Sequence, residues 1–435
     1  MGYSNKTLWY VVFLLTVAST LSFIDRQILN VMIGPIKRDL GGLSDTEISL
    51  IIGLAFSTVY AFTTLPLARW ADRHSRRNLI AVGIFSWSVM TAMAGMANSF
   101  WQLFAARMGV GVGEAALGPA TTSMLADYYE PHRLPLAYGI VATAPFIGTG
   151  IASMVGGPLV DYLEARPLLV LPFYGEMYSW QTVLVVVGLP GVLLAALMFT
   201  IKEPKRTGSG AELENGYRFS EVMAFCMTRK KYLSYHFIAY LCLSMQGFAF
   251  LTWIVEFFVR KHGWSRTDIG LTYGAIAFFV GIIGSIGAGL YAGHMLARGK
   301  PDAPMRLTFW GTLALAPVAI VMPLLSNDVL AIWLLIPITF FMAMPAGLSN
   351  AALQAISPNR MRGQLIAIYL ICVSFLSYLF APLIIGLMND YVFKREDAID
   401  LSLASLAVVN YSIAVVFLGL SLKPLREALK KAKDF

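Results

Sequence analysis

The chain has 435 residues, 57% of them hydrophobic and 13% charged, with a net charge of +8 and a mean hydropathy of +0.67. So few polar side chains cannot cover so much apolar surface in water, which excludes a soluble globular enzyme or binding domain and implies an all-α polytopic membrane protein. The positive balance is spread over loops as a topology signal, so no nucleic-acid partner is expected.

Each crossing of a bilayer needs about 20 apolar residues. Twelve such stretches follow one another near 8–33, 46–68, 78–98, 101–126, 134–161, 179–200, 232–259, 268–296, 306–325, 328–355, 364–388 and 401–422. The first has no small-residue cleavage pattern and runs on through Asp25-Arg26, so it reads as a retained anchor. The fourth carries Arg107 and Glu114 in a glycine-rich apolar run. Their separation is close to two helical turns, which puts both on one face.

Charge inside hydrocarbon is costly and marks function. A desolvated carboxylate favours its neutral form, whereas an adjacent arginine favours the ionised one. A carboxylate whose arginine partner moves away during a cycle therefore switches its affinity for protons. On this argument Asp25 and Glu114 are the expected proton-coupling sites, with Arg26 and Arg107 as charge partners or anchors for an anionic headgroup. The competing reading makes all four static interhelical pairs.

The loop after the second stretch, Ala68-Arg-Trp-Ala-Asp-Arg-His-Ser-Arg-Arg, supplies Asp72, Arg73, Arg76 and Arg77. With Asp127 and Arg133 beyond the fourth stretch, they form an expected cytoplasmic gate, in which Asp72 meets a helix N-terminus and the arginines meet acids. The alternative is a set of topogenic charges without a conformational role.

A polar segment near 202–231 divides the chain into six stretches on each side, and loop echoes support an internal repeat. Ala68–Arg77 recurs loosely from Gly289, and Pro131-His-Arg recurs as Pro358-Asn-Arg. The expected organisation is a six-helix half over 1–201, a cytoplasmic linker over 202–231, a second six-helix half over 232–423 and a basic tail over 424–435 that lies on the membrane as a short helix. Such pseudo-symmetric halves, with substrate held between them, serve alternating access.

The second half has few intramembrane charges. Glu256 stands beside Arg260 and Lys261 and is expected at a solvated outer rim rather than in a coupling role, and as a candidate for the cavity lining. Gln246, Trp253, Asn350, Gln354, Tyr369 and Tyr378 complete the candidate lining for a cargo with a polar head and an apolar tail. The glycines of the eighth stretch, among them Gly270/Gly274 and Gly289/Gly293, permit either close helix contact or bending. Counting Lys and Arg by loop, with the N-terminus inside, leaves eight outside and 23 inside out of 33. Both termini are thus expected in the cytoplasm, in an inner (plasma) membrane.

The loop signature at Ala68–Arg77 resembles that of the major facilitator superfamily, keeping Ala71, Asp72, Arg73, Arg76 and Arg77 but replacing both glycines, by Ala68 and Ser75. Arg107 followed by Gly111 is similar to the family's motif in the fourth span, and Gly148 to Pro158 is a loose version of its fifth-span motif. Phe23-Ile-Asp-Arg, Ser44-Asp, Val112-Gly-Glu-Ala and Ala126-Asp-Tyr-Tyr resemble the spinster-type branch. That resemblance implies the twelve-helix major facilitator fold and a secondary transporter of amphiphilic lipids such as lysophospholipids or sphingosine phosphate.

Walker-type loops, nucleophile elbows and metal-ligand spacings are missing from the sequence, so an enzyme, a cofactor or a metal is not expected. The energy source is then an ion gradient, through protons, or the substrate's own gradient. Two rivals stand beside the lipid carrier: a carrier for a small organic anion or drug, which the same arginines would serve, and a non-transporting receptor. A monomer surrounded by membrane lipids is the expected working form.

Overall fold

The computed structural model describes residues 4–130, 133–166, 168–171, 175–204, 206, 219–358 and 361–431, without the side chains of Asp72, Pro135, Leu171, Phe219 and Lys431. Its helices, in chain order, begin with α1 (Asn5–Val31), α2 (Ile33–Asp39), α3 (Asp45–Ser49) and α4 (Phe56–Arg73), a π-helical stretch Leu50–Ala55 joining the last two. There follow α5 (Arg76–Ala94), α6 (Phe100–Glu114), α7 (Leu117–Tyr128), α8 (Leu134–Val141), α9 (Ala144–Glu164) and α10 (Ser179–Met198). The remainder are α11 (Phe219–Thr228), α12 (Lys230–His262), α13 (Arg266–Ala297), α14 (Ala303–Val321), α15 (Asp328–Ala343), α16 (Pro345–Ile356), α17 (Arg362–Tyr369), α18 (Leu376–Leu387) and α19 (Ile399–Lys431).

Eleven helical segments among the described residues have the length and hydropathy to cross a membrane. The twelfth expected stretch, near 101–126, is broken into α6 and α7 by a turn at Ala115–Ala116. Glu114 is the last residue before that break. The all-α expectation needs one small amendment, because β1 (Leu169–Leu171) and β2 (Gly175–Met177) form an antiparallel hairpin between α9 and α10, with Leu169 opposite Met177.

The chain forms two compact units, one of Met1–Gly208 with Thr252–Phe278 and one of Ser209–Leu251 with Phe279–Phe435. In the first, Trp87 of α5 and Trp180 of α10 are fully buried. The glycines of α6 let its neighbours come close: a Cβ at Gly111 would lie 2.6 Å from the Phe56 carbonyl oxygen, and one at Gly113 would lie 2.7 Å from the Trp87 amide nitrogen. This close approach packs α6 against α4 and α5. The glycines of α13 divide likewise, since a Cβ at Gly270 would lie 2.5 Å from the Ser153 carbonyl oxygen and one at Gly274 would lie 2.8 Å from that of Gly150. There they serve helix contact, and α13 runs unbroken.

In the second unit, Tyr232, Tyr240 and Tyr411 are fully buried, and Ala288, Ala292 and Leu348 form a small apolar cluster. The stretch expected as a linker contains α11, while 207–218 lie outside the described residues. The segment expected as a separate tail helix is continuous with the last helix. It continues α19 through Pro424 to Lys431, with Leu425 and Ala428 buried against the protein, because these two side chains and the Arg426 ion pair below anchor it inward.

Candidate functional site

The charges in the interior of the first unit come together from α1, α5 and α6. Arg26 Nε donates to Glu114 Oε2 at 2.6 Å, and Ser22 Oγ, one turn earlier on α1, donates to the same oxygen at 2.7 Å. The other Glu114 oxygen, Oε1, is buried with no hydrogen bond. Asp25 is 1% exposed; its Oδ2 accepts from Thr91 Oγ1 at 3.3 Å, and its Oδ1 is buried and unbonded. Arg107, also 1% exposed, donates from Nη1 to the Asp25 carbonyl oxygen at 3.5 Å and sits 5.4 Å from the Phe56 ring centre. The Arg26 guanidinium is also caged by aromatic faces, 4.6 Å from Phe56, 5.0 Å from Tyr60 and 5.1 Å from Phe23. Cation–π attraction of this kind strengthens when water is excluded.

A second cluster lies at the junction of α4 and α5. Arg76 is 1% exposed and pairs with both Asp127 and Glu203, the latter at 2.9 Å, while its Nη1 also reaches Ser123. Glu203 accepts from Ser75 Oγ, which caps α5, and from the Arg77 amide, both at 2.9 Å. Burial works upward on the Glu203 carboxyl, but these donors outweigh it and hold it below the usual range. Arg73 is exposed, Arg77 reaches the Ile201 carbonyl oxygen, and Arg133 donates to Asn5 Oδ1 at 3.1 Å rather than to an acid. The Asp72 side chain, Arg360 and the Pro131-His132 part of the loop echo lie outside the described residues.

At the other end of the second span, Asp45 is buried between Lys37 and Arg260, whose Nη1 and Nη2 lie 2.7 and 2.9 Å from its two oxygens. Arg260 Nε also pairs with Glu256 at 2.8 Å, and Arg266 lies 3.7 Å from the second Glu256 oxygen. Glu256 is therefore not solvated but 3% exposed, because Arg260, itself held by Asp45, and Arg266 replace its water. Asp161 of α9 accepts from the Thr267 amide and hydroxyl, both at 2.7 Å, in the first turn of α13. Trp253 is fully buried with Arg260 over its ring at 5.6 Å.

Among the described residues, the buried polar groups of the second unit are mostly neutral. His236 is fully buried, with Nδ1 3.1 Å from the Tyr232 hydroxyl and Nε2 2.9 Å from Ser349 Oγ, and its ring packs against Tyr240 and Tyr369. The Tyr240 hydroxyl continues the chain to Thr308 at 2.9 Å. Gln246 is buried and accepts from Asn410 at 3.4 Å; Tyr378 is half-buried, edge-on to Phe248 at 5.0 Å. Asn350 is half-buried and Gln354 exposed.

A family model of the Major Facilitator Superfamily matches residues 15–382. The chain belongs to this superfamily. This facilitator is similar to an MFS-type efflux pump of Mycolicibacterium smegmatis, at 26% identity over 88% of its own length and 84% of the other. It is also similar to a D-galactonate transporter of Escherichia coli, at 22% identity over 90% and 92% of the two chains. Its fold matches the crystal structure of a bacterial homolog to the human lysosomal transporter Spinster in an inward-facing and unoccupied conformation, with a TM-score of 0.80 and 24% identity over 99% of each chain. The facilitator is thus a multi-pass secondary transporter with a spinster-like fold, and not an enzyme.

Several partners in these clusters escaped sequence reasoning. Ser22 stands four residues before Arg26, so helical spacing alone could have placed both on one face. Glu203 looked like part of a polar linker, and Asp45 entered only as part of the Ser44-Asp resemblance. Nothing in the sequence singled out His236.

Proposed function

We propose that this facilitator is a proton-coupled carrier of an anionic amphiphile, of the lysophospholipid or sphingosine phosphate class, working by alternating access. The observation that supports it best is the Arg26–Glu114 pair inside an aromatic cage. An ionised Glu114 neutralises Arg26. Once a proton neutralises Glu114, the cation is still held by Phe23, Phe56 and Tyr60 and is free to take an anionic headgroup. Proton and cargo thereby compete for one arginine through one carboxylate. Asp25, bonded through Thr91, is the second proton site, and Arg107 stabilises the α1 backbone beside it.

In the same proposal the Arg76 cluster, with Asp72, Arg73, Arg77 and Asp127, governs the cytoplasmic end. Gln246, Trp253, Glu256, Asn350, Gln354, Tyr369 and Tyr378 serve cargo recognition. The protein works as a monomer in the inner membrane with both termini cytoplasmic. A second reading, a carrier for a small organic anion, is favoured by the similarity to the D-galactonate transporter. It uses the same arginine and needs no acyl tail.

Flux of a labelled lysophospholipid into liposomes holding the purified protein, with and without a pH gradient, tests the proposal. Wild type is expected to show gradient-driven flux, Glu114→Asp to retain part of it, and Glu114→Gln to lose the gradient dependence. Equal flux without a gradient in wild type and a normal Glu114→Gln would overturn the coupling role. Absence of lysophospholipid flux with gradient-driven D-galactonate flux would establish the second reading.

A further inference from the structure

Arg133, which the sequence placed with the gate, faces a different environment. Beside it a cavity of about 200 Å³ opens between the first turns of α1 and α8. Leu8 and Ala137, both buried, form its floor, and Trp9, Leu136 and Ile140 form its sides. The described residues that line it include no acid. Among the described residues Arg133 has one hydrogen bond, to the exposed Asn5, which leaves most of the five guanidinium N–H donors for another acceptor. Tyr129 closes the rear, its hydroxyl donating to the Leu8 carbonyl oxygen at 2.7 Å.

We propose that this cleft binds an anionic phospholipid of the adjacent leaflet, its phosphate on Arg133 and an acyl chain along α1. Three features select that occupant. A guanidinium matches a phosphate in charge and in its paired donors. Trp9, 57% exposed, stands where an indole spans the headgroup and acyl regions. From it Phe13, one turn further along α1, and Leu136 across the cleft are 61% and 60% exposed, so the apolar sides continue onto the lipid-facing surface of a membrane span. A basic pocket between helix ends at the side where the Lys and Arg count places the cytoplasm is the setting in which anionic headgroups are held. The site is separate from the Arg26–Glu114 cluster and does not depend on what the transporter carries.

The test is native mass spectrometry of the full chain in detergent, titrated with phosphatidylglycerol, phosphatidylcholine or inorganic phosphate. The expected result is one tight phosphatidylglycerol adduct that inorganic phosphate does not displace, with phosphatidylcholine weaker by roughly tenfold and Arg133→Gln weakening phosphatidylglycerol by a similar factor. Arg298→Gln, at an exposed site in the other unit, should change nothing. Should Arg133→Gln fail to fold, Leu136→Glu places a negative charge at the mouth without touching the buried floor, and it must weaken the adduct as well. Equal binding of the two lipids, an adduct unchanged in the variant that folds, or displacement by inorganic phosphate overturns the proposal.

Discussion

The interior of the first unit is built from charge and that of the second from neutral hydrogen bonds. Asp25, Arg107, Glu114, Arg76 and Asp45 are each at most 1% exposed, and Glu114, Arg76 and Asp45 are held in ion pairs. Among the described residues of the second unit the buried polar groups are mostly neutral, His236, Ser349, Thr308, Gln246 and Asn410 among them, and the buried carboxylate Asp302 pairs with Arg306 and Arg426, whose side chains are 41% and 51% exposed. A buried ion pair gains little over a well-packed apolar one, so it is a poor device for stability alone. It does respond to protons, to anions and to the departure of a partner. The difference teaches that, if coupling is by protons as proposed, the first unit holds the groups able to respond, while the second holds buried hydrogen bonds between mostly neutral groups.

The two helix starts nearest the loop echo show the same contrast at close range. In the first unit, Glu203 from the end of the sixth span meets the N-terminus of α5, where Arg76 supplies the cation. In the second, Asp302 itself precedes α14, and the cation comes from the end of the last span as Arg426. Both place a carboxylate at a positive helix end. The charges are exchanged between the two elements, and only the first unit buries its arginine.

The largest effect is therefore expected at Arg76. Arg76→Met leaves Asp127 and Glu203 without their shared partner, a loss of about 3 kcal/mol for a broken buried pair. Thermal unfolding in detergent measures it, and a change no larger than that of Arg426→Met would erase the contrast between the units. A smaller loss is expected for His236→Phe, about 1–3 kcal/mol, because the Ser349 and Tyr232 hydroxyls lose a buried partner. The pH dependence of flux should be the same in this variant as in wild type. A shifted pH profile would make His236 a proton site and the second unit responsive after all.

The fold was largely legible, because twelve apolar stretches and a loop echo survive in any reading of the chain, and the four intramembrane charges stood out against their surroundings. What each charge touches was less legible. Ser22 and Thr91 were hidden because a hydroxyl in a membrane helix has a ready acceptor in its own preceding turn. The burial of Glu256 depends on Asp45, reached through Arg260 across 215 residues, and no local pattern encodes that distance. The break after Glu114 was unreadable because Ala115-Ala116 favours helix continuation. The tail was misjudged at Pro424. A proline ordinarily ends a helix, yet α19 continues through it with Leu425 packed inward.

The smallest expected effect concerns acid stability at the two helix starts. Burial works upward on both Glu203 and Asp302, but the arginines, joined at Glu203 by the Ser75 hydroxyl and the Arg77 amide, hold both carboxyls below their ordinary values. A carboxyl lowered on folding stabilises the protein above its unfolded value, about 3.9 for Asp and 4.3 for Glu, and that contribution is lost as pH falls through the lower folded value. The melting temperature should accordingly fall on acidification below about pH 4.3. Glu203→Gln should flatten that fall the more, since Glu203 accepts from three residues around a buried arginine. Arg426→Gln should flatten it less and cost only about 0.2–1 kcal/mol at neutral pH, because the Arg426 side chain is half exposed to water and salt. Melting curves from pH 7 to pH 3 decide between them, and a steeper acid loss in Glu203→Gln than in wild type would show that the helix N-terminus does not favour the ionised carboxylate.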